Sequence, residues 1–514
     1  MGRKGVIACV LVFLALFTAL ELYVACEKPP QIAEGWFSDI AYNLNPELTG
    51  MMGNDIPWAK TWSCGIGKLF FAVHYLSYKI FGLGIFQARL GSFVSGYLLL
   101  LLVFFWVRKN VSFEAAVLSA ALLSVSPSWW TYLADARQDF LHNLFAFISF
   151  YLLSTGFMRD KRQYIAAGGL MAALSVDIDY RGVEIVMMAF LYVLSTFDRK
   201  KTGAYLCWFF AGSFIAFIIW FSVNVIPMGL SNFVNYHIAG SVGDGGPVTM
   251  LTFLSEFFRL GRYAGTAAGL AKIEIAYWAA LLILFYQNRG RYASSSQAVK
   301  WMVSCFVVMS LIERTTYPSH MLMYSPFIAI LGGIGLESLL NARRKLGSVF
   351  LASVLVFGLF CQGARAGKYF YHRHIAKDYD PAAFGAILRS SVDPDKGIIG
   401  DVTNWYFFPD ERYYGGPLYL NRVLDVLGEF KLPGEYADDT ERARAMLDVF
   451  RKRQIEYIIA NRHLKEYIAA YFPGDKLPEK NFLLVGEATD YFLGDDAAEH
   501  PVETEIYRII SYEP

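Results

Sequence analysis

The feature that most constrains this chain is a series of apolar runs, each long enough to cross a bilayer, that recurs through the first three quarters of the sequence. A hydrocarbon core of roughly 30 Å takes about 20 helical residues to span. Spans are expected near residues 5–26, 88–106, 112–130, 139–157, 162–177, 181–197, 203–227, 272–288, 299–313, 317–340 and 346–364, eleven in all. The expected fold is mainly α, a polytopic membrane bundle. Composition agrees, with 55% hydrophobic, 17% aromatic and 18% charged residues in 514 and a mean hydropathy of +0.36. A net charge of +1 gives no electrostatic reason to expect nucleic acid as a partner.

Charge placement orients the spans. Segment 5–26 follows "MGRKG", and its length favours a retained anchor over a cleaved signal. The basic clusters "GRK", "VRKN", "MRDKR", "DRKK", "QNRGRY" and "NARRK" each follow an even number of spans counted from an inside N-terminus, so all face the cytoplasm. That count requires residues 64–82 not to cross. They read as an amphipathic helix in the outer interface, with Lys68, His74 and Lys79 towards water. The outer side then collects interface helices at about 31–82, the turns 131–139 and 175–182, the loop 228–271, the turn 313–320 and the C-terminal tail.

The transmembrane domain is expected to cover residues 1–365, and from 366 to 514 the pattern changes to that of a soluble α/β domain. "KGIIGDV", "EYIIA", "FLLVG" and "IYRII" read as strands; "ERARAMLDVFRKRQ" and "HLKEYIAAYF" have helical apolar spacing. "NWYFFPDERYYGGPLYLNR" (404–422) reads either as a surface for stacking sugar rings or as a packed hairpin or core edge. The six cysteines are scattered without metal-type spacing, with Cys26 and Cys64 on the same outer side.

The outer turns carry the chemistry. Joining a sugar from a lipid phosphate carrier to a hydroxyl calls for a carboxylate near the headgroup plane as proton acceptor, cationic groups or a metal to hold the leaving phosphate, and an apolar groove for the tail. Glu34 and Asp39 lie among Trp36, Phe37 and Tyr42 just after the first span. Five residues apart, they point in different directions on a helix, so one is expected to be the base and the other a helper or a surface acid. Asp135, Arg137 and Asp139 in "ADARQD" read as a salt-bridged helix start or as a phosphate or metal site. Asp177, Asp179 and Arg181 in "DIDYRG" offer the same choice, and Arg314 and His320 flank "TTYPS" before a late span.

At these residues the chain resembles the multi-spanning C-type glycosyltransferases, the broad group with protein O-mannosyltransferases and the bacterial aminoarabinose transferase of lipid A. "EGWF" followed by "IAYNL" is similar to that family's first outer loop, where an acidic pair precedes an aromatic; here Ala33 replaces the first acid, so the role of base passes to Glu34. "YKIFGLGIFQARLGSFVSG" (78–96) resembles the family's "K-x-F-G" and "R-L-x-S-x-x-x-G" stretch, with Lys60 near the place of its usual proline pair. "DARQDFLHNLF" resembles "A-R-P-[DE]", matching Arg137 and Asp139, and "YPSHMLMYSPFIAILGGIGLESLL" resembles a late helix with a mid-span proline. The likeness covers about residues 5–340.

The resemblance implies an inverting transferase of an inner (plasma) membrane. It moves a sugar from a polyprenyl-phosphate donor to a glycan, lipid or protein acceptor on the outer, periplasmic face. Glu34, with Asp39, would take the acceptor's proton, while Arg137, Arg314, Lys60 and Arg181 would hold the donor phosphate. Asp139, Asp135, Asp179 and His320 would support the site or a metal. The resemblance implies a divalent metal such as Mg or Mn for many relatives and none for others, and no ligand cluster in the sequence decides between them. The alternatives are a lipid-linked glycan ligase or polymerase, for which His237, Arg259 and Arg262 in loop 228–271 would matter, and a flippase or transporter, for which Glu21 is the acid inside an apolar run.

Overall fold

The structure, a computed structural model, describes residues 3–43, 68–179, 181–196, 199–226, 269–288, 293–312, 318–416, 419–420, 430–431, 433–490 and 502–513. The chain divides into two compact units. The first comprises Met1–Ala25, Cys64–Phe70 and Gly91–Ala366, and the second Cys26–Ser63, Phe71–Leu90 and Gly367–Pro514.

The elements run α1 (Arg3–Glu27), α2 (Ile32–Tyr42), α3 (Lys68–Phe81), α4 (Ile85–Asn110), α5 (Phe113–Ser124), α6 (Pro127–Leu133), α7 (Asp139–Arg159), α8 (Arg162–Leu174), α9 (Gly182–Leu194), α10 (Arg199–Trp220), α11 (Gly269–Asn288), α12 (Ala293–Ile312), α13 (Ser325–Ala342) and α14 (Arg344–Phe370). Among the described residues, six of the helices are long and apolar enough to cross a membrane; they begin at residues 4, 85, 139, 201, 325 and 344. The expected span 112–130 is two helices: Ser126 is extended (φ −61°, ψ 129°), and Pro127, at the first position of α6, cannot continue the hydrogen bonding of α5. Pro326 likewise opens α13, and Pro318–Met323 before it is a 3₁₀ turn rather than part of the expected span 317–340. Residues 64–82 yield α3, which is not among the crossing helices. Lys79 on it is exposed, but His74 is buried rather than turned to water.

The first unit is held by close helix pairs. α8 packs on α7 and α10, α5 and α11 on α13, and α9 on α12. Where α8 meets α10, a Cβ at Gly212 would lie 1.9 Å from the Ala166 carbonyl oxygen. Only glycine lets the backbones approach so far, the usual route to helix packing without a hydrophobic drive. Glu274, buried on α11, accepts from Ser126 Oγ (2.7 Å), Ser128 Oγ (2.6 Å) and Ser128 N (3.0 Å) at the break between α5 and α6.

The second unit contains α15 (Pro381–Ser391), β1 (Gly397–Gly400), β2 (Tyr413–Gly415), α16 (Asp439–Lys452), β3 (Ile455–Ala460), α17 (Arg462–Ala469), β4 (Phe482–Asp490) and β5 (Val502–Ile509). The five strands form one sheet in the order β2-β1-β3-β5-β4, parallel from β2 to β3 and antiparallel beyond. Each face carries its own core. One is built on Met446, Phe450 and Ile458, the other on Leu388, Trp405 and Ile459. The aromatic stretch after 404 is core edge rather than an open sugar platform. Trp405, Phe408, Tyr413, Tyr414 and Tyr419 are all buried, and β2 is the edge strand.

The first-loop helix α2 belongs to this second unit. Trp36 and Tyr42 pack into the core that holds Trp405, and a Cβ at Gly35 would stand 2.4 Å from the Val402 carbonyl oxygen. Ser38 Oγ pairs with Tyr406 OH at 2.6 Å, and Tyr42 OH donates to Asp410 Oδ1 at 3.0 Å.

Candidate active site

Two charged constellations stand out, one in each unit. In the second unit Glu34 sits in the first turn of α2, where its Oε2 accepts the Gln31 backbone N–H (2.8 Å) and closes a capping box. Arg89 meets the same carboxylate in a two-pronged pair, Nε to Oε1 and Nη2 to Oε2, both 2.8 Å. The remaining Arg89 donors reach the carbonyls of Lys28 (2.6 Å) and Pro29 (2.8 Å). Both residues are fully buried. Burial alone would raise the Glu34 carboxyl, but the Arg89 charge and hydrogen bonds outweigh it and hold it below the usual carboxylate range. Asp39, also buried, accepts from Asn43 Nδ2 at 2.7 Å.

In the first unit the two turns read separately from the sequence come together. Arg181 Nη2 bridges Asp179 Oδ2 (2.5 Å) and Asp139 Oδ1 (3.2 Å), while Arg137 Nε donates to Asp139 Oδ2 (2.8 Å). Gln138 Nε2 adds a bond to Asp179 Oδ2 (3.0 Å), and Asp177 accepts the Leu69 N–H (3.1 Å). Ser92 fixes the Arg137 backbone from both sides, its hydroxyl donating to the carbonyl (2.7 Å) and accepting from the N–H (3.1 Å). Asp135 is buried beside this network. Desolvation works against the Asp179 anion, yet Arg181 keeps its pKa lowered; Asp179 and Asp139 in turn overcome the burial of Arg181 and raise its pKa. The Arg137 side chain retains 23% exposure, against 11% for Arg181, and stands 5.6 Å from the centroid of the Tyr132 ring.

Arg365, which the sequence reading passed over, lies at the far end of α14. It donates to the Trp130 and Thr131 carbonyls at the end of α6 and stands 5.5 Å from the Trp130 ring centroid. Among the described residues it meets carbonyl dipoles and a ring face but no carboxylate, so its positive charge is not matched. Its signal in the sequence is no more than the first of the basic residues, Arg365, Lys368, Arg373 and Lys377, that follow the last apolar run. One turn back along α6, Pro127 borders an apolar cleft of about 400 Å³ lined by Val125, Ile273, Tyr277, Val349 and Phe357.

Lys60 and Arg314 lie outside the described residues, as do loop residues His237, Arg259 and Arg262, the side chain of His320 and Cys64. Among the described residues none of the other five cysteines forms a disulfide. Among the described residues no group of three or more His, Cys, Asp or Glu side chains is arranged to hold a metal; the carboxylates of Asp139 and Asp179 are bound by arginines instead.

Residues 69–226 match the family model described as dolichyl-phosphate-mannose-protein mannosyltransferase. No curated protein matches the chain by sequence. Among solved structures, the chain is similar to ArnT from Cupriavidus metallidurans bound to undecaprenyl phosphate, at 14% identity over 99% of both chains with a TM-score of 0.66. It is also similar to the oligosaccharyltransferase AglB from Archaeoglobus fulgidus, at 12% identity over 91% of this chain and 72% of that one with a TM-score of 0.50. The arabinofuranosyltransferase AftD from Mycobacteria aligns at 15% identity, covering 99% of this chain and 40% of its own, with a TM-score of 0.50. A helical bundle with a small C-terminal sheet, matched along its whole length, gives this chain the fold of the C-type (GT-C) membrane glycosyltransferases.

Proposed function

We propose that the chain is a multi-pass membrane glycosyltransferase that moves a sugar from a polyprenyl-phosphate carrier to an acceptor hydroxyl on a glycan, lipid or protein, with inversion, at the outer face of an inner membrane. The observation that carries this reading is an arginine whose charge no described carboxylate matches, bonded to the Trp130 and Thr131 carbonyls about one turn along α6 from Pro127 at the edge of an apolar cleft. That is the shape of a lipid-phosphate site: the prenyl chain lies in the cleft and the phosphate takes the guanidinium of Arg365, with Arg137 as the second cation. Arg181 is the weaker phosphate ligand, because two aspartates already share it. The undecaprenyl phosphate bound to ArnT supports a carrier of this class.

The proton acceptor is drawn from α2. We read Glu34, whose two oxygens pair with Arg89, as a positioning group that fixes the helix start. The acceptor role is assigned to Asp39, the other carboxylate of α2, which accepts from Asn43 Nδ2. As the new C–O bond forms, the hydroxyl proton passes to Asp39. The bond to the carrier oxygen breaks, and its electron pair leaves with the phosphate, whose charge the arginines stabilise.

Purified protein tested with a monosaccharide on a polyprenyl monophosphate and with one on a polyprenyl pyrophosphate checks the donor. Turnover with the monophosphate is expected, and turnover with the pyrophosphate alone would remove this reading in favour of a ligase. Asp39→Asn should lower kcat by about 100-fold or more, the usual scale of general-base loss, without changing the melting temperature. Arg365→Gln should raise the donor KM while leaving the acceptor KM in place.

A further inference from the structure

The mechanism leaves unused a second cavity in the helical unit, about 260 Å³, at the end of the bundle where α1 and α5 begin and α13 passes into α14. Ile7, Val10 and Leu118 give it an apolar wall; Glu114, Glu337 and Arg344 give it charge of both signs. Glu337 is the informative residue. It is nine-tenths buried, and its Oε1 accepts from Ser112 Oγ (2.8 Å), the same serine that caps α5 by accepting the Ala115 N–H (3.0 Å). Its other oxygen, Oε2, is buried with no hydrogen-bond partner among the described residues.

A carboxylate oxygen buried without a donor is costly, and the cost is relieved by a cationic donor that enters the cavity. The cavity is too apolar on one side and too charged on the other for a plain hydrocarbon tail or for a simple anion. An ammonium for Glu337, a phosphate for Arg344 and a short apolar stem for Val10 and Leu118 together describe a zwitterionic headgroup. The neighbouring surface says that the source is a lipid. Leu11, Val12 and Leu16, on the same α1 that walls the cavity, are 52%, 60% and 54% exposed on a helix long and apolar enough to span a bilayer.

We propose that this cavity binds a phospholipid whose headgroup carries a primary amine, the ammonium donating to Glu337 Oε2 and the phosphate meeting Arg344. The site is independent of the donor-carrier cleft and stands whether or not the transfer reaction is as proposed. An N–H on the headgroup is the requirement, so trimethylation should abolish recognition while leaving charge and size similar.

The test is native mass spectrometry and thermal melting of the delipidated full-length chain in detergent micelles. Phosphatidylethanolamine, phosphatidylcholine, phosphatidylglycerol or soluble phosphoethanolamine is added. Retention of phosphatidylethanolamine at least about tenfold better than phosphatidylcholine, with a rise in melting temperature, is expected, the size of one lost hydrogen bond to a charged group. Glu337→Gln should reduce that preference to near unity. Ile7→Trp, which fills the cavity from the lipid-facing helix and leaves Glu337 intact, should remove binding and keep the fold. Equal binding of all three lipids, an unchanged preference in both variants, or binding of phosphoethanolamine as tight as that of the whole lipid would overturn the proposal.

Discussion

The two charged constellations differ in how completely they are closed. Glu34 and Arg89 show 1% and 0% side-chain exposure, with every oxygen and three guanidinium nitrogens bonded inside the second unit. The Asp139–Arg181–Asp179 network in the first unit is nearly as well bonded, but Arg137 at its margin keeps 23% exposure and lies along a ring face. Closure marks a pair that holds a helix in place; a cation left at the rim is one that a ligand can still reach. On the function proposed above, Glu34 and Arg89 are the fastener and Arg137 is the cation that meets the donor.

The sharpest way to break that distinction is Arg89→Ala. It leaves the Glu34 anion buried without its cation, which costs about 3–5 kcal/mol; the chain should lose most of its folded yield or melt far lower in detergent. A variant that folds normally would mean that the pair is not a fastener. Arg137→Ala should act mainly on turnover, lowering kcat/KM for the donor by about 10–100-fold, on the scale of a lost charge-assisted contact, with a smaller fall in melting point than Arg89→Ala because Arg181 still holds Asp139. Arg181→Ala should reverse that pattern, because it strands Asp179. Gly35→Ala tests how tightly α2 is seated on the sheet domain. The methyl would collide with the Val402 carbonyl and cost about 1–3 kcal/mol, as overpacking does, read as a fall in melting temperature.

The smallest effect is in pH. Glu34 and Asp179 both have lowered pKa values. A carboxyl depressed in the folded state stabilises the fold above its unfolded pKa, about 4, and loses that contribution as pH falls through the folded value. The contribution of these two groups to the melting temperature should therefore be flat from roughly pH 8 to pH 5, with any loss from them confined to below about pH 4. A fall at pH 6 that Asp179→Asn abolishes would mean that the Asp179 anion is not paired as described.

The apolar periodicity made the bundle legible because run length alone distinguishes a membrane helix. It merged α5 with α6 because a count of apolar residues does not register that a single proline ends a hydrogen-bonded run. The alternation of strands and helices in the tail was equally readable, since each element carries its own period. What the sequence hid was partnership. Glu34 and Arg89 are 55 residues apart, and nothing local to either says that the carboxylate is already taken. Asp139 and Arg181 are 42 apart and were visible only as two separate acidic turns. His74 fell on the polar side of an amphipathic helix by spacing, yet packing buries it. Arg365 was invisible because basic residues after an apolar run usually mark no more than the end of a span.

The seating of α2 on the sheet domain bears on how such a chain can be re-engineered. A graft that exchanged only the last 150 or so residues would strip Trp36 and Tyr42 of the wall they lean on and press Gly35 against a foreign carbonyl. Swaps between relatives should move the opening helix and the tail together, as a single cassette whose pieces are far apart in the gene and side by side in the protein.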